Sequence, residues 1–392
     1  MRRTTGRVVT LALGALLTGG PFAQAQDAVE LEATVEREAP AARALQCGAV
    51  ITRNTVLTRD LACPGTTAPA IRIVGAGVVL DLGGYTVRRS GPATEDSQGI
   101  VVEADSTVRN GTVRGFRWGY VVDSGAAQVR LHRLTLTDNG TAIYHRGGYA
   151  RFLLTSSRLN GNTTGFSSEF DAANGELAVR ATQFTGNGRV MFVDDHHVDV
   201  ADSTFTANTS VVYCFYGRVR FRSSTLAMNT SVGELPFDPG GGFDFCGELA
   251  FEDSLITNNT SLAPPGSPAW EPFHFEMRDS WVMDNGGGLR VSGRTVDIQG
   301  NTFWNNAGGL TLADLPEFEP VALTGPVNDN RFLRNRGDGL RVLSPSQPTV
   351  SRNQALGNTG WGIHAPGVID GGGNIASANG AGNCEGVVCA AP

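Results

Sequence analysis

A short run of acidic residues and histidines, Asp194-Asp195-His196-His197, lies near the middle of this 392-residue chain. One carboxylic acid can protonate a leaving-group oxygen while a second carboxylate acts as a base or nucleophile. An imidazole titrates near neutral pH and can transfer protons. Side chains of these types are suited to cleaving a sugar linkage, provided that the backbone directs them to one face.

Three consecutive segments, aligned on a 21-residue shift, predict which side chains share a face. Two positions are apolar in every segment: Phe170, Met191 and Val212, then Ala172, Val193 and Cys214. Because side chains alternate along a strand, these positions point inward and their neighbours point outward. The outward set is Glu169, Asp171, Phe192, Asp194, Tyr213 and Phe215.

This face gives a set of candidate site residues. The predicted catalytic residues are Asp171, Asp194, Asp195 and His196. The predicted substrate-binding residues are Glu169, Phe192, Tyr213 and Phe215, since flat rings stack on pyranose faces. Strands ~4.8 Å apart would make Asp171 and Asp194 lateral neighbours.

The same residues allow other interpretations. Corners of a repeating fold are commonly polar, and clustered carboxylates also arise by chance on an acidic surface. Calcium bound by Glu169, Asp171 and Asp194 is a further alternative, because hard oxygen ligands on neighbouring strands suit that ion. The sequence predicts no other cofactor and no transition-metal site.

The elements that must position these residues come from a repeat. Asp202-Ser-Thr-Phe-Thr-Ala-Asn208 returns as Ser223-Ser-Thr-Leu-Ala-Met-Asn229 and as Asp253-Ser-Leu-Ile-Thr-Asn-Asn259. The asparagines that end the copies lie 20 to 30 residues apart, and they are Asn139, Asn162, Asn187, Asn208, Asn229, Asn259, Asn285, Asn305, Asn335 and Asn358. Units this short must stack on one another, and their alternating segments favour strands. We predict an all-β fold, a right-handed parallel β-helix of about twelve coils with a ladder of stacked asparagines.

Composition excludes several classes of function. All 31 cationic residues are arginine, so a mechanism that needs a lysine is excluded. The formal net charge is −7, which argues against a nucleic-acid partner, since such a partner needs a basic face. The longest apolar run, at 8–17, is too short to span a bilayer.

The ends of the chain suggest export. A basic start, an apolar run and Ala23-Gln24-Ala25 predict a signal peptide over 1–25, and hence a secreted, periplasmic or cell-surface protein. Residues 26–46 form an acidic leader, 47–376 the β-helix, and 377–392 a C-terminal tail closed by a disulfide.

Six cysteines in an exported chain indicate disulfides. Cys47 with Cys63, and Cys384 with Cys389, would staple the two ends of the solenoid. Cys214 and Cys246 align two residues out of register, so their pairing requires a shift of the strand and is left open.

The entry of the chain resembles a known group of proteins. Cys47-Gly-Ala-Val-Ile-Thr52 and Thr55-Val-Leu-Thr58 lead into Val79-Leu-Asp-Leu-Gly-Gly-Tyr-Thr-Val87. This pattern resembles exported bacterial right-handed parallel β-helix proteins, the pectin-lyase-like group. The group includes lyases, hydrolases, epimerases, carbohydrate-binding proteins and adhesins, so the resemblance implies the fold and no single reaction. Of the catalytic patterns of polygalacturonases, only Asp194-Asp195 is present.

Two insertions, at 232–242 and 261–272, bring aromatic residues next to the carboxylates. Either they carry a functional surface or they plug a gap in the coil. The leading prediction is a protein that binds an extracellular polysaccharide or cell-surface glycan over residues 169–275, with processing of that sugar left open. The alternative is a structural or adhesive rod without catalytic activity.

Overall fold

The computed structural model describes residues 41–66, 68–92, 96–123, 125–168, 173–234, 246–263, 270–314 and 322–391. These residues form a right-handed parallel β-helix of about 13 turns, and no helix occurs among them. The predicted signal peptide and most of the acidic leader lie outside the described residues. The all-β solenoid predicted from the repeat is confirmed.

Each coil contributes short strands to three faces, which we call A, B and C. Face A contains Ala41–Arg43, Thr55–Leu57, Val78–Asp81, Ser106–Arg114, Gln128–Thr137, Gly148–Thr155, Ala173–Arg180, His196–Ala201, Arg218–Arg222, Glu248–Glu252, His274–Arg278, Thr295–Gln299, Pro326–Asn328, Thr349–Ser351 and Ile369–Gly372. The C-terminal halves of two of these strands, Ser106–Arg114 and Gln128–Thr137, continue into face B.

Face B otherwise contains Leu61–Cys63, Thr86–Arg89, Arg158–Asn160, Gln183–Thr185, Thr204–Thr206, Thr225–Ala227, Leu255–Thr257, Trp281–Met283, Thr302–Trp304, Arg331–Leu333, Gln354–Leu356, Asn374–Ser377 and Cys389–Ala390. Faces A and B belong to one sheet of 28 strands.

Face C is divided into a sheet of nine strands and a sheet of five. The first contains Ala49–Ile51, Ile71–Ile73, Gln98–Val102, Trp118–Asp123, Thr141–Arg146, Thr164–Ser168, Arg189–Asp194, Ser210–Phe215 and Ser231–Glu234. The second contains Leu289–Ser292, Leu310–Ala313, Leu340–Val342, Trp361–His364 and Gly382–Glu385. Isolated bridges, Ser231 with Ser261 and Trp270 with Val291, lie on this face between the two sheets.

The asparagine ladder lies at the corner between faces B and C. Asn208 is 1% exposed, and its amide donates to Asn229 Oδ1 at 3.0 Å and to the Phe184 carbonyl at 3.1 Å. The prediction that Asn305 belongs to the ladder is wrong. The ladder runs through its neighbour Asn306, whose Oδ1 accepts a hydrogen bond from Asn285 Nδ2 at 2.9 Å. Asn305 instead occupies the corner itself, with φ of 53°, and donates to Asp284.

A second ladder, which the repeat did not predict, lies at the corner between faces A and B. Hydroxyls form its first part, since Ser203 Oγ accepts from the Thr182 backbone amide and Ser224 Oγ from that of Ser203. From Asn301 onward the same position is occupied by asparagines, and Asn301 donates to Asn330 Oδ1 at 2.9 Å. Both corners therefore satisfy their buried backbone groups with side chains of neighbouring coils.

We expect Asn208→Ala to lower the free energy of unfolding by about 1–3 kcal/mol, because it leaves buried backbone groups without partners. Asn258→Ala is the matched control. Asn258 is exposed at a corner and has φ of 55°. Alanine tolerates this conformation, because Ala207 has the same φ at the equivalent corner of an earlier coil. Chemical denaturation of both variants checks the prediction. Equal midpoints for Asn208→Ala and Asn258→Ala would contradict the proposed role of the ladder.

All three disulfides occur in the structure. Cys47 is bonded to Cys63, and Cys384 to Cys389, as predicted. The pairing left open, Cys214 with Cys246, also forms, with Cα atoms 5.0 Å apart. In the strand register Cys246 lies opposite Tyr216, which is exposed, but Cys246 itself is only 8% exposed. The chain therefore turns inward at Cys246, and this shift brings the cysteine to Cys214 despite the two-residue difference in register.

Strand pairing extends beyond the predicted boundaries at both ends. Ala41–Arg43, inside the predicted leader, pairs with Thr55–Leu57. Gly382–Glu385, inside the predicted tail, pairs with Trp361–His364. The β-helix pairing of the described residues thus runs from residue 41 to residue 390.

Candidate functional site

The strand register on face C agrees with the predicted outward positions. Phe192 pairs with Tyr213, and Asp194 with Phe215. The alternating positions, which include Met191 and Val193, are buried in the core as predicted. Glu169, Phe170, Asp171 and Ala172 lie outside the described residues, so the predicted neighbourhood of Asp171 and Asp194 stays a prediction.

The expected exposure of this face is wrong for three of its members. Phe192 is 9% exposed, Tyr213 5% and Asp194 1%, although all three occupy outward positions. The two rings stack on each other with centroids 4.4 Å apart, and the Arg189 guanidinium lies 5.5 Å and 5.2 Å from their centres. The rings therefore do not form an open plate for a sugar; Phe215 remains partly exposed.

His196 also differs from the prediction. Asp195 has a left-handed φ of 47°, and this corner resets the alternation, so His196 begins the next strand pointing inward. His196 is fully buried, whereas His197 points outward and is exposed. Asp195 is an exposed corner residue. The structure thus directs the predicted acid-base residues to different sides of the backbone.

Inside the coil, His196 forms a pair with a second buried histidine, His145. His196 Nδ1 lies 2.6 Å from the Asp194 carbonyl oxygen, which can only accept, so this nitrogen carries a proton. Neutral His196 then accepts through Nε2 from His145 Nδ1 at 2.9 Å. His145 Nε2 is buried and has no hydrogen-bond partner among the described residues.

Burial keeps both imidazoles neutral. Burial, together with the electrostatic effect of the neighbouring His196, lowers the pKa of His145 to about 4, against the opposing effect of a hydrogen bond to the Gly147 backbone. It also lowers the pKa of His196, against the opposing effect of the Asp194 carbonyl. Phe152 and Phe166 pack edge-on against the pair. The pair is therefore part of the core and is not positioned to exchange protons with a substrate outside the coil.

The insertions also place an aromatic ring inside. Trp270 is buried against Phe251, with ring centroids 5.6 Å apart, and its Nε1 donates to the Leu262 carbonyl at 2.6 Å. For this residue the structure supports the plug interpretation. Phe237, Phe243 and Phe245 lie outside the described residues.

A charged depression lies on face A, formed by residues outside the set that the sequence predicts for the site. The strand Arg218–Arg222 directs Arg218, Arg220 and Arg222 outward, because Val219 and Phe221 between them are buried. With His197, Asp199 and Glu248 from the two neighbouring coils, these arginines line a volume of about 270 Å³. We call this set the arginine trough. The Arg-x-Arg-x-Arg alternation over 218–222 is the sequence signal that predicts it.

Ion pairs tie most of the trough together. Asp199 accepts from Arg222 at 2.6 Å and from Arg180 at 2.5 Å. Arg220 binds Glu248 at 2.9 Å. Arg218 differs from these residues: it is exposed and makes no ion pair within the described part of the chain. The trough therefore offers one open guanidinium beside two that are held in place by carboxylates.

No family model, curated protein or solved structure matches this chain. Among the described residues there is no helix long and apolar enough to cross a membrane. In the same ranges no group of three His, Cys, Asp or Glu side chains is arranged to hold a metal ion. The calcium alternative involves Glu169 and Asp171 and lies outside these ranges.

Proposed function

We propose that this chain is an exported β-helix protein, allied to the pectin-lyase-like group, that binds an acidic polysaccharide in the arginine trough. The observation that carries the proposal is the outward alternation of Arg218, Arg220 and Arg222 on one strand. A guanidinium matches the geometry of a carboxylate or sulfate with two parallel hydrogen bonds. A rigid solenoid holds these donors in fixed positions, which lowers the entropic cost of binding a polymer.

Binding is a better fit to this site than turnover. The carboxylates of the trough, Asp199 and Glu248, are each already held in an ion pair with an arginine of the same trough. The residues predicted to be catalytic, Asp194 and His196, are buried. The three disulfides are consistent with a ligand met in an oxidising compartment, as the proposed export requires.

The alternative function is a structural rod, and a specific observation favours it. Charged pairs continue along face A beyond the trough, since Glu276 accepts from both Arg220 and Arg278. Arg278 in turn binds Asp297 in the next coil. Such a chain of pairs would tie neighbouring coils together without any ligand.

The test is binding of the mature protein to a polyuronate, a sulfated glycan and a neutral glucan. We expect Arg218→Ser to weaken binding of the acidic polymer about tenfold, because it removes charge-assisted hydrogen bonds. The matched control is Arg130→Ser, an exposed arginine on face A, away from the trough. Calorimetry at two salt concentrations should show weaker wild-type binding at high salt.

Three results would contradict the proposal. Equal affinity for the neutral glucan would show that charge does not select the ligand. Equal losses for Arg218→Ser and Arg130→Ser would show that the trough is not the site. No binding to any polymer would favour the structural rod.

A further inference from the structure

An apolar strip lies on the outer side of face B. It consists of Leu255, Trp281, Met283, Trp304, Leu333 and Leu356. Met283 pairs with Trp304, and Leu333 follows in the next coil, so the side chains are stacked in register. Trp281 is 51% exposed, and the other members are partly exposed. The strip spans five coils, or about 19 Å at ~4.8 Å per coil.

The apolar strip differs from the outer side of face B in the preceding coils. In the three preceding coils the corresponding outward residues are polar with one exception, the small Ala227; the polar ones are Gln183, Thr185, Thr204, Thr206 and Thr225. The pleat directs all of these side chains away from the core, so folding of the coil does not require an apolar residue there. A contiguous exposed apolar surface of this kind marks an interaction site.

Charges flank the strip with opposite sign at its two ends. Asp253 and Asp284 occupy corners beside its first coils, whereas Arg331 and Arg334 lie beside its later coils. Both arginines are exposed, and neither makes an ion pair within the described residues. The surface is therefore apolar along its length, acidic at one end and basic at the other.

We propose that a second copy of this chain packs on the strip, with the two solenoids antiparallel and Trp304 at the two-fold axis. Coils that are equally far from the coil of Trp304 then face each other. Asp284 approaches Arg334 of the partner subunit, and Trp281 approaches Arg331 of the partner subunit, which suits a cation–π contact. An antiparallel pair makes each of these contacts twice.

The parallel arrangement is disfavoured by the same charges. It would bring each coil against its own copy, so Asp279 at one corner would face Asp284 at the other. Arg334 would face Asp329, but that carboxylate is already paired with Arg352 and offsets the repulsion little. Like charges at an interface oppose association. The antiparallel arrangement brings together two like charges, Asp279 and Asp329, but Asp329 is already bound by Arg352 at 2.7 Å.

The size of the strip predicts a weak, reversible dimer. A patch about 19 Å long and only two outward side chains wide, about 7 Å between their Cα atoms, is small beside the interfaces of stable complexes, which bury about 1,200–2,000 Å² in total. We therefore expect dissociation constants in the micromolar range, with the dimer visible by sedimentation velocity at about 100 µM protein.

The first test replaces Trp304 and Leu333 together by threonine, the residue that Thr206 and Thr185 provide at the same position of earlier coils. We expect this variant to be monomeric at 100 µM with an unchanged circular dichroism spectrum. Met228→Asn is the control, since Met228 is 62% exposed on an earlier corner outside the strip, and Asn258 occupies the same corner of the next coil with a similar left-handed φ of 55°. A wild-type protein that stays monomeric at 100 µM, or a strip variant that still dimerises, would overturn the proposal.

The second test exchanges charges. Arg334→Asp and Asp284→Arg are each expected to raise the dissociation constant at least tenfold, and the double variant is expected to restore it. The corners tolerate both residue types, because Asp284 and Arg334 have φ values of 56° and 54°. A double variant no tighter than the singles would overturn the antiparallel arrangement. Loss of glycan binding instead of dimerisation in the threonine variant would assign the strip to a sugar and overturn self-association.

Discussion

His196→Ala is expected to lower the free energy of unfolding by about 2–5 kcal/mol. The substitution removes a fully buried ring that packs against Phe166 and His145. It also leaves the His145 Nδ1 proton and the Asp194 carbonyl without the partner that joins them. Lost packing and orphaned polar groups act in the same direction, which is why the expected effect is large.

His197→Ala provides the matched control. His197 is the next residue on the same strand, but it points outward into the arginine trough. We expect a change in stability within about 0.5 kcal/mol, as for other surface substitutions. Guanidinium denaturation of the two variants and the wild type measures the difference. If His196→Ala unfolds at the wild-type midpoint, the buried position of His196 is contradicted.

The same pair of variants bears on catalysis. A catalytic His196 at an open face would give normal stability and lost turnover when replaced. The buried His196 should instead give lost stability, with any loss of function following from unfolding. Measuring stability and polysaccharide binding on the same preparations separates these two explanations.

The sequence predicts the coil well because the coil depends on local periodicity. Short repeats, alternating strands and asparagines at fixed corners are all visible along the chain, and the structure confirms them. The error at Asn305 has a local cause. Two asparagines, Asn305 and Asn306, are adjacent, and only the backbone conformation tells which one is the corner and which one is in the ladder.

The candidate site was less predictable because alternation holds only within a strand. The corner residue Asp195 interrupts the strand. The alternation of side chains therefore does not continue from Asp194 to His196, and the direction of His196 cannot be read from that of Asp194. Outward direction also does not guarantee exposure, as Phe192 and Tyr213 show. These outcomes depend on contacts between distant parts of the chain, such as that of His145 with His196, 51 residues away.

By contrast, the arginine trough follows from alternation within one strand. Arg218, Arg220 and Arg222 are separated by the buried residues Val219 and Phe221. Carboxylates and histidines stand out in the sequence because those groups transfer protons. A site that binds through guanidinium groups has no proton to transfer, and a search for acid-base residues does not find it.

Acidification is expected to destabilise the protein through His145. In the unfolded chain this imidazole takes up a proton near its usual pKa of about 6.5, whereas burial lowers its pKa in the fold to about 4. Between these values the unfolded state binds more protons, so stability falls as pH falls from about 6.5 to about 4. Above pH 6.5 both states are neutral, and below pH 4 both are protonated, so this group adds no further slope.

The loss over this window is on the order of 2–4 kcal/mol, from the size of the pKa difference. His145→Val tests its origin, because Val122 occupies the same position in the preceding coil. We expect the variant to be less stable at pH 7, since His196 Nε2 loses its donor, but to show a shallower loss between pH 6.5 and 4. Unfolding midpoints measured at half-unit steps of pH decide the question, and a variant with the full wild-type slope would place the titrating group elsewhere in the fold.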